Sequence, residues 1–418
     1  MEASLYIHIP FCGSLCDYCD FYSVPVSRKT GSSNKALDPS LSDPRLTLFT
    51  KALLSEAERL FKEFSPGRIP TVYIGGGTPS ILGSAGILTL LNGLNRLIQY
   101  RAPMPEEITV EANPESADEA FLEAARKGGA SRLSLGLQTF HGPSRRAVNR
   151  TGFEPFQART PSAFAQDSLN EKRLSKRLAL AAEYFPGALS VDIISGLPFQ
   201  SEKILLDDIH AALTFKLAHV SLYALTLEPG TPLAERGAAG SCLPSCDEAD
   251  RLWLCGRDAL EKAGYAQYEV SNFCLEGKES RHNIRYWLMR NWLALGPAAS
   301  GSVFDDEAGT GFRYTVAPNV DQWVGDHSLR ESLDRLTLIK ETFLMGFRYI
   351  HGPDADLFKR RFRLSIDQCI PQTLKVWRNK GLTQEGKTAL TKEGLLFLDS
   401  FLTQAFGELE SRAFHDER

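Results

Sequence analysis

The chain has 418 residues, with 47 Lys and Arg against 51 Asp and Glu, for a formal net charge of -4. Its length exceeds the size at which a single hydrophobic core stops growing, so a main domain and an accessory one are expected. The near balance of charge leaves no footprint for nucleic acid or an anionic membrane, and no apolar run reaches the roughly 18 residues that a membrane span needs.

The chain opens MEASLYIHIPFC, a strand-like alternation from Leu5 with no basic leader, long apolar core or small-residue cleavage site; export is not expected. Eight unevenly spaced cysteines without a signal peptide point to a reducing compartment, the cytoplasm. After the cysteine-bearing segment FCGSLCDYCDFYS, residues 25–42 are rich in Ser, Lys and Pro and read as an exposed insertion. A helical pattern, LTLFTKALLSEAERLFKEF, leads to a second strand, TVYIGG from Thr71. A helix through ILTLLNGLNRLIQY, the strand ITVEA from Ile108, a helix through ADEAFLEAARKG and the strand RLSLGL from Arg132 follow. Residues 153–170 lack periodicity and read as a second insertion, before the strands LSVDIIS from Leu189 and HVSLYAL from His219.

Six strands separated by helices predict a parallel α/β partial barrel, (β/α)6, over residues 1–240, with chemistry at the strand ends and the loops after them. Beyond it lie a helical DEADRLWLCGRDALEKAG, the segment YEVSNF and a Gly/Ala/Ser-rich loop at 296–302, together a connecting region over 241–328. The tail, 329–418, reads as a separate helical domain; its NKGLTQEGKTALTKEGLLFLDSFL resembles a small winged-helix-like module, here assigned a capping role.

The C-x-x-x-C-x-x-C spacing of Cys12, Cys16 and Cys19 directly after the first strand lets one short loop wrap three thiolates around a [4Fe-4S] cluster. Three ligands leave one iron open to the amino and carboxylate groups of S-adenosylmethionine (SAM), whose homolytic cleavage gives methionine and a 5′-deoxyadenosyl radical. The competing readings are a zinc knuckle, for which no fourth cysteine or paired histidine lies nearby, and three unconnected thiols. Cys242, Cys246, Cys255, Cys274 and Cys369 lack a second cluster spacing and read as structural, Cys242 and Cys246 being at best a weak metal pair.

Gly75, Gly76 and Gly77, followed by Thr78 and Pro79 after the second strand, permit close backbone approach to a zwitterion, although a glycine run before proline also simply makes a tight turn. Glu111, Gln138 and Asp192 occupy comparable places in otherwise apolar runs and Arg150 follows Gln138, so four polar groups are expected to converge on SAM; each alone reads as a cap or a solvated ion pair.

At YIHIPFCGSLCDYCDF the chain resembles the radical SAM family of oxygen-independent coproporphyrinogen III oxidases and related heme chaperones. IGGGTPS, VEANPES, LGLQTF, VDIISGLPFQ, HVSLYALTLEPGTPL, YEVSNF, ESRHNIRYW and LALGP extend the resemblance over nearly the whole chain. It implies SAM contacts at Tyr6, Gly76, Gly77, Thr78, Glu111, Gln138, Arg150, Asp192 and Ala224, and puts Tyr18 between the second and third cluster ligands. Phe21 stands where the oxidases carry a fourth cysteine, which implies the heme-chaperone branch, and His282 in HNIRYW matches a motif associated with heme handling. An imidazole can ligate heme iron beside the flat Tyr286 and Trp287, or simply be hydrogen-bonded structure. The implied partners are heme or a porphyrinogen and a heme-acceptor protein; the alternatives are oxidative decarboxylation of coproporphyrinogen III and a different radical SAM reaction. The chain departs from the pattern at 296–302, which lacks the family's histidine, and at Asn149–Arg150–Thr151–Gly152, where Gly-Arg-x-His is usual.

Overall fold

The computed structural model describes residues 1–26, 44–150, 163–240, 242–325 and 328–412. The first insertion falls almost wholly outside these residues, as do Thr151 and Gly152. The second insertion is shorter than its composition implied, because a helix already runs over Ala163–Tyr184.

The six expected strands form: β1 (Ser4–Ile9), β2 (Thr71–Gly76), β3 (Glu107–Ala112), β4 (Arg132–Gln138), β5 (Leu189–Ser195) and β6 (His219–Ala224). They pair side by side, all parallel, in chain order. Their sequences are nearly continuous apolar runs because both faces are covered: one by the helices of the crossovers, the other by the barrel interior. Ile7, Ile74, Val110, Leu135, Val191 and Leu222 are fully buried in the shared core. Gly83–Gln99 supplies one covering helix. The span Pro79–Gln99 is long and apolar enough to cross a membrane by composition, but half of it is buried in this fold, where it packs between the helices Pro44–Phe64 and Glu119–Lys127.

The sheet does not stop at six strands. Trp292–Leu295 pairs parallel to the free side of β1, and Ser300–Asp305, Thr310–Val316 and Ser328–Leu333 continue it in antiparallel fashion. Two expectations are corrected here. The Gly/Ala/Ser-rich run at 296–302 is a loop only up to residue 299, since Ser300 begins a strand, and the tail becomes helical at Arg335, not near Leu329. Small side chains at Ser300, Gly301 and Ser302 hid the strand, whose pairing comes from its neighbours. Gly296 shows the fit at this join: with φ of 100°, it would bring an added Cβ within 2.3 Å of the His8 carbonyl on β1.

After Leu333 a second hydrophobic cluster takes over, built around Phe343, Phe347, Phe358, Phe362, Trp377 and Phe401 on short helices. A lone antiparallel bridge between Thr383 and Leu390 is the only wing-like element among the described residues of the tail. The tail meets the barrel through a bridge between Glu269 and Tyr349 and through the Ile350 N–H, which donates to the Tyr268 carbonyl.

Candidate functional site at the barrel mouth

The cysteine loop leaves the C-terminal end of β1 and is tied down on both sides. Asp17 N–H donates to the Val148 carbonyl, the Asp17 carbonyl accepts from Leu233 N–H, and the Asp17 carboxylate pairs with Arg236 at 2.7 Å. A two-residue ladder between Phe11–Cys12 and Val24–Pro25 closes the loop's base. Cys12, Cys16 and Cys19 are each part-buried free thiols. Among the described residues no three His, Cys, Asp or Glu side chains are gathered for a single metal ion. A cubane, with its irons at separate corners, takes thiolates from wider apart than a zinc ion does. Burial pushes the Cys12 thiol up and the Cys19 thiol up to about 11, so ligation there releases protons.

The glycine run packs against this loop. An added Cβ on Gly77 would lie 2.8 Å from the Phe11 carbonyl oxygen and 3.0 Å from Cys12 Sγ, and Gly76, at φ of 110°, would strike the His8 ring. These glycines therefore serve the cysteine loop as well as any ligand at the strand end. Thr78 is buried and its hydroxyl lies 3.4 Å from Cys12 Sγ.

Around the mouth the structure brings the other sequence-derived residues into one neighbourhood. Glu111 on β3 accepts from the Tyr73 hydroxyl at 2.6 Å and from Gly76 N–H at 3.2 Å. Burial first, and then Asp192, lift its carboxyl to about 7. Burial also raises Asp192 on β5, against hydrogen bonds from Ser221 and Ser134. Tyr6, half-buried on β1, stacks on Tyr73 and is held neutral by burial. Gln138 ends β4 with φ of 69°, in a register shift of the β4–β5 ladder, and its side-chain oxygen is buried without a hydrogen-bond partner. Arg150 is buried; it donates to the Gly136 carbonyl, to Asn113 Oδ1 at 3.1 Å and to Cys16 Sγ at 3.5 Å, while its Nε has no partner. Tyr18 is held neutral by burial beside Arg150 and Cys16. Ala224 is exposed at the end of β6. Clustered carboxylates, a guanidinium and orphaned polar atoms form a lining that a zwitterionic, cationic ligand satisfies.

His282 lies below this group, its ring 5.1 Å from the Tyr73 ring whose hydroxyl reaches Glu111. Its helix, Arg281–Trp287, closes the opposite, N-terminal end of the barrel, where the Glu107 carboxylate accepts from the backbone N–H groups of Arg281 and His282 at 3.1 and 3.0 Å. The imidazole is 1% exposed, with Nδ1 at 2.8 Å from the Thr71 hydroxyl and Nε2 at 2.9 Å from the Tyr286 hydroxyl. Burial, then Arg285, lowers its pKa to about 3. Both nitrogens are hydrogen-bonded within the protein and the ring is neutral, which is the arrangement of the second of the two readings of His282, hydrogen-bonded structure. Phe21, by contrast, is 64% exposed on the cysteine loop.

Sequence reasoning passed over four residues of this region. His8 donates from Nε2 to the Tyr22 carbonyl and accepts from the Tyr6 hydroxyl, bracing the loop against β1. Tyr73 orients Glu111. Asn113 bridges Thr78 and Arg150. Arg145 donates to the Leu137 and Thr139 carbonyls, fixing the turn that carries Gln138, and pairs with Glu115. Burial raises Glu115, but Arg150 and Arg145 outweigh it and hold the carboxyl below its ordinary range. Only Asn113 carried a local signal, as a polar residue just past a strand end; His8 and Tyr73 lie within strands and Arg145 within a helix.

A family model for the radical SAM superfamily matches residues 6–212. The chain is 33% identical over 411 residues to radical S-adenosyl methionine domain-containing protein 1, mitochondrial, of Bos taurus, spanning 95% of this chain and 82% of that one. It is 32% identical over 369 residues to heme chaperone HemW of Lactococcus lactis subsp. lactis, spanning 87% and 86%. The solved structure of coproporphyrinogen III oxidase (HemN) from Escherichia coli, a radical SAM enzyme, superposes with a TM-score of 0.73 over 97% of this chain and 90% of that one; at 20% identity that likeness is one of fold. By these matches the chain belongs to the radical SAM superfamily, whose cofactors are a [4Fe-4S] cluster and SAM, and within it to the HemW/HemN-like group.

Proposed function

We propose that this protein is a radical SAM heme chaperone: it holds a [4Fe-4S] cluster on Cys12, Cys16 and Cys19, binds SAM at the barrel mouth, takes up heme and passes it to an acceptor protein in a reducing compartment such as the cytoplasm. The observation that carries the cofactor part is the meeting of a three-thiol loop with Gly76, Gly77, Thr78, Glu111, Gln138, Arg150 and Asp192 at one barrel end. When bound, the cluster and SAM supply one-electron reduction of a sulfonium and a carbon radical. The protein's own groups have plain tasks. Glu111 and Asp192 offset the positive charge of the ligand, Arg150 receives a carboxylate, Gln138 offers its unpaired oxygen to a donor, and Tyr6 and Tyr73 fix Glu111 from below.

The heme part rests on the relatives' names and on Phe21 replacing a cysteine. All eight cysteines are free thiols, in keeping with a reducing compartment. Heme uptake is tested by anaerobic titration of the cluster-loaded protein, gel filtration and a Soret spectrum, with His282→Ala in parallel. Wild-type protein is expected to retain the band, and so is the variant, because the imidazole is enclosed in the barrel floor. No retained heme in the wild type would overturn the chaperone reading. Product chromatography after incubation with coproporphyrinogen III, SAM and a reductant tests the oxidase alternative; protoporphyrinogen would establish it.

A further inference from the structure

A closed chain of hydrogen bonds joins two of the three candidate cluster ligands, and its middle member is a residue with no assigned role. Arg150 can only donate, and its Nη2 lies 3.1 Å from Asn113 Oδ1. That contact fixes the side-chain amide: Asn113 Nδ2 must face Thr78 Oγ1, at 3.1 Å. The Thr78 hydroxyl, one lone pair taken by the amide hydrogen, has one proton to place, and the neighbour on its other side is Cys12 Sγ at 3.4 Å. A thiolate ligand only accepts, so the hydroxyl donates to sulfur. The second arm mirrors the first, since Arg150 Nη1 donates to Cys16 Sγ at 3.5 Å. Ser23, the other hydroxyl by the loop, is half-buried and also lowers the Cys12 thiol, but its oxygen meets no partner at full hydrogen-bond geometry, so Thr78 is the better-placed donor.

Asn113 is held to this task through its backbone. Its N–H donates to Ser80 Oγ at 3.1 Å, and its carbonyl accepts from Ser116 N–H at 3.0 Å and Ala117 N–H at 2.9 Å. Thr78 is 3% exposed and Arg150 7%, so little water competes for these bonds. Hydrogen bonds to cluster thiolates stabilise the more negative, reduced state and raise its potential.

We propose that Asn113 is the positioning residue for the cluster: by fixing the proton of Thr78 on Cys12 and the guanidinium of Arg150 on Cys16, it raises the cluster's reduction potential. The inference rests on the reading of Cys12, Cys16 and Cys19 as the cluster ligands. The test is a dithionite titration of the full-length, anaerobically reconstituted protein without SAM, followed by electron paramagnetic resonance, with iron and sulfide counted in each variant. Asn113→Ala and Thr78→Val are each expected to lower the midpoint by roughly a decade in the reduction equilibrium, ~59 mV for a one-electron couple. The double variant is expected to shift by clearly less than the sum, because the bond to Cys12 is common to both and Asn113 adds only its arm through Arg150. Should Asn113→Ala fold poorly, Asn113→Asp keeps the shape; its carboxylate takes the Thr78 proton away from Cys12, and the midpoint must again fall. An unmoved midpoint at full iron content, or fully additive shifts, overturns the inference alone. A wild-type protein that assembles no [4Fe-4S] cluster overturns the cluster reading as well, so the two failures are distinguishable.

Discussion

The two ends of this barrel are built from similar residue types and do opposite things with them. At the N-terminal end, Ser4, Thr71, His282 and Tyr286 form a closed set of hydrogen bonds under a helix whose first N–H groups are received by Glu107. At the C-terminal end, carboxylates are lifted by burial, Gln138 Oε1 and Arg150 Nε have no protein partner, and donors point at sulfur. Orphaned atoms alone do not make the contrast, because Arg285 Nε and Trp287 Nε1 on the floor helix also lack partners; the mouth differs in that its orphans lie among raised carboxylates and the thiols. That contrast sets His282 apart from the residues proposed to hold the cofactors in a way that motif membership does not.

The comparison breaks most readily at the cysteines. Cys12→Ala, Cys16→Ala or Cys19→Ala is expected to abolish cluster assembly outright, read as loss of iron, sulfide and visible absorption, while the floor variants keep it. A floor variant that also loses the cluster would erase the distinction. The next largest effect belongs to the floor. His282→Ala leaves Thr71 and Tyr286 without their shared partner and opens a cavity, so urea denaturation is expected to show a loss of ~2–4 kcal/mol with iron content unchanged.

The two ends also differ in the sign of their response to pH. His282 titrates at about 3 when folded against 6.5 for an ordinary imidazole. The unfolded chain therefore binds the extra proton, and the floor's contribution is complete above about 6.5 and falls as pH drops toward 3. Glu111 runs the other way, holding its proton up to about 7 against an ordinary 4.5. Its ionisation costs folding stability as pH rises between those values, and a cationic ligand recovers that cost. SAM affinity, by equilibrium dialysis, is expected to rise several-fold from pH 6 to pH 8, and Glu111→Gln is expected to flatten the profile. A pH-independent affinity in the wild type would remove Glu111 from the binding site.

The smallest effect is expected at Phe21. It is 64% exposed, so Phe21→Ser is expected to change folding stability by no more than about 0.5 kcal/mol. Any change in heme retention in that variant then reports on the surface of the cysteine loop and not on the fold.

Much of this molecule is legible in one dimension. The six barrel strands stand out because strands covered on both faces must be apolar runs, and Cys12, Cys16 and Cys19 because loop chelation is a matter of short spacing. Glu111, Gln138 and Asp192 are visible as polar interruptions of those runs. The strand at Ser300–Asp305 is not, since its small residues carry no pattern and its pairing with Thr310–Val316 supplies the order. Nor are the bridge made by Asn113 and the enclosure of His282. Both depend on groups tens to hundreds of positions apart in the chain, Thr78 and Arg150 in one case and Thr71 in the other. Local spacing determines what a loop or strand can chelate or bury, because neighbours along the chain are neighbours in space. Whether a histidine faces a ligand or a threonine is decided only when distant strands and helices close around it.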